Sequence, residues 1–253
     1  MNQQDVHQGI NKMKRANQSS VGLILLHGAG LGSWIWDDLE EKLEYPFLSI
    51  DLPGRGKHKN IATKDLSLEN YAQSVVSEIY QFNAEKLIIV AHSIGGVVGL
   101  EVSHLLQSRI GGFVAISATI PAASGSYIST LPFLTGIFLR SMFIFAGTRP
   151  PSPVLRKSLC DDLNEKQTVE IIERFVPESK KLYIDKRNSQ DVPVNSLYVR
   201  LKDDKALGVP IQNRMITNLN AKQIIDIDSG HLPMLSKTDE LARILNTFAS
   251  KIK

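Results

Sequence analysis

Cysteine is almost absent from this chain of 253 residues, and that absence excludes an internal disulfide. The single thiol belongs to Cys160, so a reducing, cytoplasmic compartment is the simpler expectation. The first twenty residues lack an apolar core, which argues against a secretory signal. The longest apolar stretch, Leu131 to Gly147, is interrupted by Arg140 and is too short for a membrane span.

An excess of charge of one sign is also lacking. Twenty-nine Lys and Arg residues face 26 Asp and Glu residues, and both signs are scattered along the chain. This balance favours neither nucleic acid nor a strongly acidic partner. Lys12, Lys14 and Arg15 give residues 1–20 a local basic character, and we expect that segment to be a flexible tail. The sequence leaves the oligomeric state open.

What the chain does contain is enough apolar sequence for one large core. Hydrophobic residues make up 43% of it, so neither a disulfide nor a structural metal is needed for folding, and we expect no metal and no cofactor. Short apolar runs alternate with helical patterns, which is typical of βαβ units and a mostly parallel sheet. The sequence therefore predicts an α/β fold with about six strands. The predicted strands are Leu23–Leu26, Phe47–Ile50, Leu87–Ala91, Phe113–Ser117, Ser196–Leu201 and Gln223–Ile227.

Three helical patterns fit around these strands. Residues 68–82 carry apolar side chains at helical spacing, and Ser67 precedes them as a predicted N-cap. Residues 96–106 follow the third strand directly, and residues 239–252 close the chain with an amphipathic helix. These helices would cover both faces of the sheet.

The alternation is interrupted once, between residues 119 and 193. This segment has several helical patterns, three prolines near residue 150 and no clear strand. A long interruption inside a compact domain is usually functional. We therefore predict a helical cap at 119–193 over a core formed by residues 21–118 and 194–253.

The third strand leads directly into Ala91-His92-Ser93-Ile94-Gly95-Gly96 and then into a helix. This is a variant of the Gly-x-Ser-x-Gly turn, in which small neighbours allow strand and helix to approach while the serine hydroxyl is exposed. A strand-to-helix turn of this kind can also be purely structural. Its context makes Ser93 the candidate nucleophile.

A serine hydroxyl needs a base to take its proton, and that base needs a carboxylate to orient it. His231 follows the last strand and precedes the final helix, which suits the base. Asp203 and Asp204 follow the strand Ser196–Leu201, and Asp228 is a third candidate that lies close to His231 along the chain. The order Ser, Asp, His is the order of an α/β-hydrolase triad.

The first strand ends in the glycine-rich loop His27-Gly28-Ala29-Gly30-Leu31-Gly32. Free backbone amides in such a loop can stabilise a reacting carbonyl oxygen, and we predict Ala29 and Ile94 as the two oxyanion donors. A phosphate-binding loop is the competing interpretation, but the Gly-Lys-Ser/Thr ending is missing. His27 is predicted to fix the loop through hydrogen bonds. Asp51, after the second strand, is predicted to cap amides in a tight turn.

From about Val21 onward, these motifs resemble the α/β-hydrolase superfamily. Within it the chain is most similar to the branch that holds plant methylesterases, hydroxynitrile lyases and their bacterial esterase relatives. In that branch the triad acid is the aspartate that precedes a lysine, which implies Asp204. The strings that carry the resemblance are Leu26-His27-Gly28-Ala29, Gly32-Ser33-Trp34-Ile35-Trp36, Asp51-Leu52, Ala91-His92-Ser93-Ile94-Gly95-Gly96, Asp204-Lys205-Ala206, Gly230-His231 and Met234-Leu235.

Two positions depart from the lyase members of the branch. Those members carry threonine where this chain has Gly28, and lysine where it has Leu232. Both polar groups handle cyanide chemistry, so the resemblance implies no cyanohydrin cleavage here. It also marks Gly28 and Leu232 as substrate-binding positions.

The function that the motifs and the resemblance together predict is hydrolysis of a small carboxylic ester by a Ser93–Asp204–His231 triad. The apolar residues of 131–146 favour an apolar acyl or alcohol group, although they could equally pack the cap onto the core. Lactone opening, C–C cleavage and a cofactor-free reaction use the same fold and stay open. A non-catalytic small-molecule receptor is the third alternative.

Overall fold

The computed structural model describes residues 20–145, 147–188 and 191–252, so nearly all of the predicted N-terminal tail lies outside the described residues. Six strands form one sheet. Three of the six, the second, fifth and sixth along the chain, match the predicted bounds at both ends, and the other three are longer or shifted by a few residues. The strands are β1 (Val21–Leu26), β2 (Phe47–Ile50), β3 (Lys86–His92), β4 (Ile110–Ile116), β5 (Ser196–Leu201) and β6 (Gln223–Ile227).

All pairings in this sheet are parallel, and the strand order is β2-β1-β3-β4-β5-β6. The predicted α/β-hydrolase type of fold, with its mostly parallel sheet, is confirmed. Because every strand runs in the same direction, all six carboxyl ends lie at one edge of the sheet, where α/β proteins bind their ligands.

The helices also follow the sequence pattern closely. The predicted N-cap at Ser67 is confirmed, because its hydroxyl accepts a hydrogen bond from the Asn70 backbone N–H and the Ser67 backbone N–H donates to Asn70 Oδ1. Among the described residues, no helix combines the length and the apolar character needed to cross a bilayer. The helices are α1 (Asp37–Glu40), α2 (Leu68–Ile79), α3 (Gly95–Leu106), α4 (Phe133–Phe145), α5 (Ser152–Leu159), α6 (Glu165–Arg174), α7 (Lys180–Ile184), α8 (Val209–Leu219), α9 (Pro233–Ser236) and α10 (Thr238–Ala249).

The core lies on both faces of the sheet. Along β1, Leu23 and Leu25 pack into one hydrophobic cluster, whereas Ile24 and Leu26 pack into the other. This alternation follows from the strand geometry, in which successive side chains point to opposite faces. Strands buried on both faces are continuous apolar runs, which is why the sequence marked them so clearly.

The segment 119–193, which we call the cap segment, contains α4 to α7 between β4 and β5. Its apolar helix α4 divides its side chains between solvent and interior. Phe133 and Leu134 are 80% and 78% exposed, whereas Phe143 is buried. Neither expectation for the apolar residues of 131–146, that they favour an apolar substrate group or that they pack the cap onto the core, therefore applies to all of α4, because part of it faces solvent.

Ile89 and Ile224 form a matched pair for testing this core. Ile89 lies in the central strand β3 with no exposed surface, whereas Ile224 lies in the edge strand β6 and is 49% exposed. We expect Ile89→Ala to lower the free energy of unfolding by about 2–5 kcal/mol, because it leaves a cavity in close-packed surroundings. Ile224→Ala should cost less than about 1 kcal/mol. Urea denaturation of both variants measures the difference, and equal losses would contradict this description of the core.

Candidate active site

Four strands lead to the predicted site residues, which lie at one edge of the sheet. The loop with Gly28 follows β1, Ser93 follows β3, and Asp204 and His231 follow β5 and β6. Strand β4 lies between β3 and β5 and ends next to Ser117. The parallel sheet therefore gathers segments that are far apart in sequence.

Ser93 lies at the tip of a sharp turn between β3 and α3. Its φ of 53° falls in the left-handed region, which a residue with a side chain rarely adopts and which marks stored strain. The turn needs glycine at the two following helix positions. A Cβ on Gly95 would lie 2.8 Å from the His27 carbonyl oxygen, and one on Gly96 would lie 2.6 Å from the Thr119 carbonyl oxygen. The Ser-x-Gly-Gly motif is thus a requirement of close backbone approach.

Asp204 and His231 form a buried pair. The His231 Nδ1 lies 2.7 Å from Asp204 Oδ2, and the two side chains are 3% and 0% exposed. The other carboxylate oxygen, Oδ1, accepts the backbone N–H groups of Ala206 and Leu207 at 2.7 and 2.8 Å. A buried carboxylate held by this many donors has a fixed position.

These contacts determine the charge of Asp204. Burial alone would raise its pKa, but the electrostatic interaction with His231 and the hydrogen bonds from His231, Ser117 and Leu207 outweigh burial and lower the pKa to about 2. At neutral pH the carboxylate is ionised and can only accept hydrogen bonds. His231 Nδ1 therefore carries the ring proton, which leaves the lone pair of Nε2 available to act as a base.

Ser117 is a site residue that the sequence interpretation missed. It was assigned only to the end of a strand, but its hydroxyl donates to Asp204 Oδ2 at 2.6 Å. The one available signal was its position at the carboxyl end of the strand next to β5. The competing aspartates lie elsewhere: Asp203 is exposed, and Asp228 pairs with Lys202 at the surface.

Ser93 and His231 line the same cavity of about 160 Å³. Within the described part of the chain, no hydrogen bond joins the Ser93 hydroxyl to the His231 ring. In sites without substrate this bond is often long and shortens when substrate binds. Most of the other lining residues are apolar and come from the cap segment. The lining comprises Gly28, Ala29, Leu31, Ser93, Tyr127, Leu139, Phe143, Thr148, Pro150, Leu155, Ser158, Leu159, Phe175, Tyr183, Ala206, Leu207 and His231.

The backbone N–H groups of the two predicted oxyanion donors are free in the described part of the chain. Neither the Ala29 nor the Ile94 backbone N–H has an acceptor among the described residues, and Ala29 lines the cavity. The next residue differs, because the Gly30 N–H donates to the Glu178 carboxylate at 3.1 Å. In this loop the Ala29 amide is thus open, whereas the Gly30 amide that follows it is held by the cap segment.

The buried side chains of His27 and His92 form hydrogen bonds with the backbone of the loops around the cavity. His27 is fully buried, its Nδ1 lies 2.8 Å from the Gly28 carbonyl oxygen, and its Nε2 accepts the Leu52 N–H at 3.1 Å, so its predicted structural role is confirmed. His92 Nε2 donates to the His231 carbonyl oxygen at 2.9 Å. Burial, followed by the charge of His231, lowers the pKa of His92 to about 3, which keeps this ring neutral.

Gly28 and Leu232, the two positions that differ from the lyase members, lie in different places. Gly28 lines the cavity, and a Cβ there would lie 2.8 Å from His92 Nδ1. Leu232 is fully buried in the hydrophobic cluster beneath the site and is not among the residues that line the cavity. Asp51 does cap a backbone amide, because its Oδ1 accepts the Ser33 N–H at 2.8 Å, but that amide follows β1 and does not belong to the turn after Asp51, where the capping was predicted.

The cap segment also contacts the histidine loop. Asp162 Oδ2 accepts the Gly230 N–H at 2.7 Å, one residue before His231. A Cβ on Gly230 would lie 2.4 Å from the other Asp162 oxygen, so glycine is needed for this contact. Among the described residues, no group of three or more His, Cys, Asp or Glu side chains could hold a metal ion.

A parallel sheet with a strand–turn–helix serine, and with aspartate and histidine after later strands, is the arrangement of the α/β-hydrolase class. A model of the alpha/beta hydrolase family matches residues 23–244. Because this match covers most of the sequence, the chain belongs to the alpha/beta hydrolase family.

Individual relatives agree with the branch that the motifs indicated. Methylesterase 7 of Arabidopsis thaliana is 23% identical over an alignment of 260 residues. The match covers 94% of this chain and 99% of the relative. Methylesterase 3 of the same plant is 24% identical, with 90% of this chain and 96% of the relative covered. The predicted resemblance to plant methylesterases is therefore confirmed.

Solved structures share the same fold. An extracellular alpha/beta-hydrolase from a Paenibacillus species, described as homologous in structure and function to tobacco salicylic acid binding protein 2, has a TM-score of 0.80 at 20% identity. That match covers 90% of this chain and 99% of the other. Methylesterase MES16 from Arabidopsis has a TM-score of 0.72 at 18% identity, with 91% and 99% covered.

The low pKa of Asp204 predicts a specific loss of stability in acid. A carboxylate whose pKa is lowered by folding stabilises the native state above its unfolded pKa of 3.8, and this contribution is lost as the pH falls through about 2. Its size is on the order of 2 kcal/mol. The free energy of unfolding should therefore fall more steeply between pH 4 and 2 in the wild type than in Asp204→Asn.

Urea denaturation across this pH range measures the two slopes. Asp203→Asn is the matched control, because Asp203 is exposed, and it should keep the wild-type slope. If Asp204→Asn also kept that slope, the buried carboxylate would not be ionised as described.

Proposed function

We propose that this chain is a serine hydrolase that cleaves small carboxylic esters bearing an apolar group. The observation that carries the proposal is the oriented Asp204–His231 pair, which shares a cavity wall with the strained Ser93 turn. The names of the relatives support the same chemistry, because several of them are methylesterases.

The proposed reaction begins with attack of the Ser93 hydroxyl oxygen on the ester carbonyl carbon. His231 Nε2 takes the hydroxyl proton, and the ionised Asp204 stabilises the imidazolium that forms. The carbonyl electron pair moves to oxygen, which accepts hydrogen bonds from the Ala29 and Ile94 N–H groups. When the carbonyl re-forms, the bond to the alcohol breaks, and His231 returns the proton to the leaving alcohol.

The second half repeats these steps with water. His231 takes a proton from water, whose oxygen attacks the acyl carbon, and the tetrahedral intermediate again places its negative charge on the oxygen held by Ala29 and Ile94. Collapse of this intermediate releases the carboxylic acid and returns a proton to Ser93. Water is the only co-reactant, and the atoms balance without a cofactor.

The cavity supports a small substrate. Its volume of about 160 Å³ lies below the range of roughly 300–1,000 Å³ of drug-sized ligand sites. The cap segment contributes the buried side chains of Leu155 and Phe143 to its wall. These side chains favour an apolar acyl or alcohol group and offer no charged partner for an ionic one.

Cyanohydrin cleavage is not part of the proposal. A threonine at position 28 would place its Cβ against His92, and the side chain at position 232 is buried away from the cavity. Neither position therefore offers the polar group that the lyase members use.

Replacing the nucleophile tests the proposal directly. We expect Ser93→Ala to lower kcat for p-nitrophenyl butyrate by about 10⁵–10⁶-fold, because loss of the triad serine removes the covalent route. Labelling by a fluorophosphonate probe should disappear in Ser93→Ala and in His231→Ala.

Ser158→Ala is the matched control, because Ser158 lines the same cavity and its hydroxyl donates to the Val154 carbonyl oxygen. It should retain both labelling and turnover. Equal labelling of wild type and Ser93→Ala would refute the assignment of Ser93 as the nucleophile. Labelling of Ser93 without turnover of any ester would favour lactone opening, C–C cleavage or a non-catalytic receptor.

Leu155 provides a test of the predicted substrate size. Leu155→Ala enlarges the cavity, so we expect the ratio of kcat/KM for p-nitrophenyl hexanoate over acetate to rise about tenfold, since a methylene in a hydrophobic pocket changes discrimination by such factors. Val154→Ala, on the same helix but 51% exposed, should leave the ratio unchanged. A Leu155→Ala ratio equal to that of the wild type would place the acyl chain elsewhere.

A further inference from the structure

Arg55 and Glu178 form a buried ion pair that the proposed reaction does not use. Arg55 belongs to the turn after β2, and Glu178 lies in the cap segment between α6 and α7. The Arg55 Nη1 lies 2.6 Å from Glu178 Oε1, and the two side chains are 5% and 0% exposed. The pair therefore joins the core to the cap in surroundings that exclude water.

Both members of the pair hold the backbone of the glycine-rich loop after β1, residues 27–32. Glu178 Oε1 accepts the Gly30 N–H at 3.1 Å, and Arg55 Nη1 donates to the Leu31 carbonyl oxygen at 2.6 Å. These are the two residues that follow Ala29. The pair thus fixes the peptide groups next to Ala29, the predicted oxyanion donor, which lines the cavity and whose N–H has no acceptor among the described residues.

Further bonds hold Glu178 itself in place. The Tyr71 hydroxyl of α2 donates to Glu178 Oε2 at 2.9 Å and accepts the Ser179 N–H at 3.0 Å. Val176, two residues earlier, donates its backbone N–H to the Gly30 carbonyl oxygen at 3.0 Å. Gly30 is therefore held through both its N–H and its carbonyl, which a φ of +77° makes possible.

Stability alone is a poor explanation for this arrangement. Removing two charges from water costs about as much as their attraction returns, so a buried ion pair is often no more stable than apolar side chains of the same volume. Within the described structure, the buried Arg55 Nε has no hydrogen-bond partner, which adds to the cost. The benefit is geometric, because two charged groups define the path of residues 30 and 31.

From these contacts we infer that Glu178 is a positioning residue for the oxyanion hole, acting through the Gly30 N–H with Arg55 as its partner. This inference rests on the proposed function and extends it. Glu178 does not touch the reacting atoms, but it holds the loop so that the Ala29 N–H points at the developing oxyanion. The cap segment thereby contributes to catalysis as well as to substrate selection.

Two double variants isolate the hydrogen bond from the charge. Arg55→Met/Glu178→Met replaces the ion pair by apolar side chains of similar volume and removes the acceptor for the Gly30 N–H. Arg55→Met/Glu178→Gln also removes the charges, but its amide oxygen can still accept that N–H. Neither variant leaves a single buried charge without a partner, which protects folding.

We expect the Met/Met variant to lower kcat for p-nitrophenyl butyrate about tenfold to a hundredfold, with KM changed less than about threefold. Loss of a whole oxyanion donor costs about 10²–10³-fold, and a misplaced donor costs less. The inhibition constant of an alkylboronic acid, which binds serine as a tetrahedral anion, should rise by the same factor. The Met/Gln variant should recover most of both losses.

Glu78→Gln is the control for removal of a buried carboxylate, because Glu78 bonds His58 and Lys57 and does not line the cavity. It should change neither kcat nor boronate binding. Urea denaturation identifies the folded variants. A folded Met/Met variant with wild-type kcat and boronate affinity would refute the positioning role of Glu178. A Met/Gln variant as impaired as Met/Met would refute it too, and neither result would affect the proposed function. A wild type inert toward esters and boronates would overturn the proposed function, and the inference with it.

Discussion

The buried carboxylate of Asp204 is the constraint on which the rest of the site depends. It accepts hydrogen bonds from Ser117 at the end of β4, from the loop after β5 and from His231 after β6. An ionised group in this position must satisfy all its acceptor capacity, because an unpaired buried charge is costly. One side chain thus connects the segments that follow three neighbouring strands. Its bond to His231 Nδ1 also determines that Nε2 is the nitrogen that can act as a base.

The strained turn at Ser93 is a second constraint on the same cavity. A residue with φ of 53° persists only where its surroundings over-determine the backbone. Here the Ser93 N–H donates to the Ile116 carbonyl oxygen, and its carbonyl accepts from Gly96 and Thr119. The turn is therefore held by the neighbouring strand, by its own helix and by Thr119, the first residue of the cap segment, and these contacts fix the backbone that carries the hydroxyl.

The sequence revealed the sheet and the order of the predicted triad because both have local signatures. Parallel strands covered on both faces are continuous apolar runs, and the serine turn requires small residues at fixed positions. Ser117 and Glu178 have no such signature, since their partners lie 87 and 148 residues away. Asp203 and Asp204 are adjacent, so only the resemblance separated them. The exposure of Phe133 could not be predicted either, because an apolar helix shows its packing partners only in the fold.

The cap segment does more than cover the cavity, because it forms hydrogen bonds with the loops that contain Ala29 and His231. Glu178 accepts the N–H of Gly30, next to Ala29, and Asp162 accepts the N–H of Gly230, next to His231. Each contact ends on a glycine that leaves no room for a side chain. A cap that changed its substrate preference by reshaping Leu155 or Phe143 would still have to keep these two carboxylates. Under the proposed mechanism, selection can therefore act freely on the apolar wall of the cavity but not on the two polar contacts behind it.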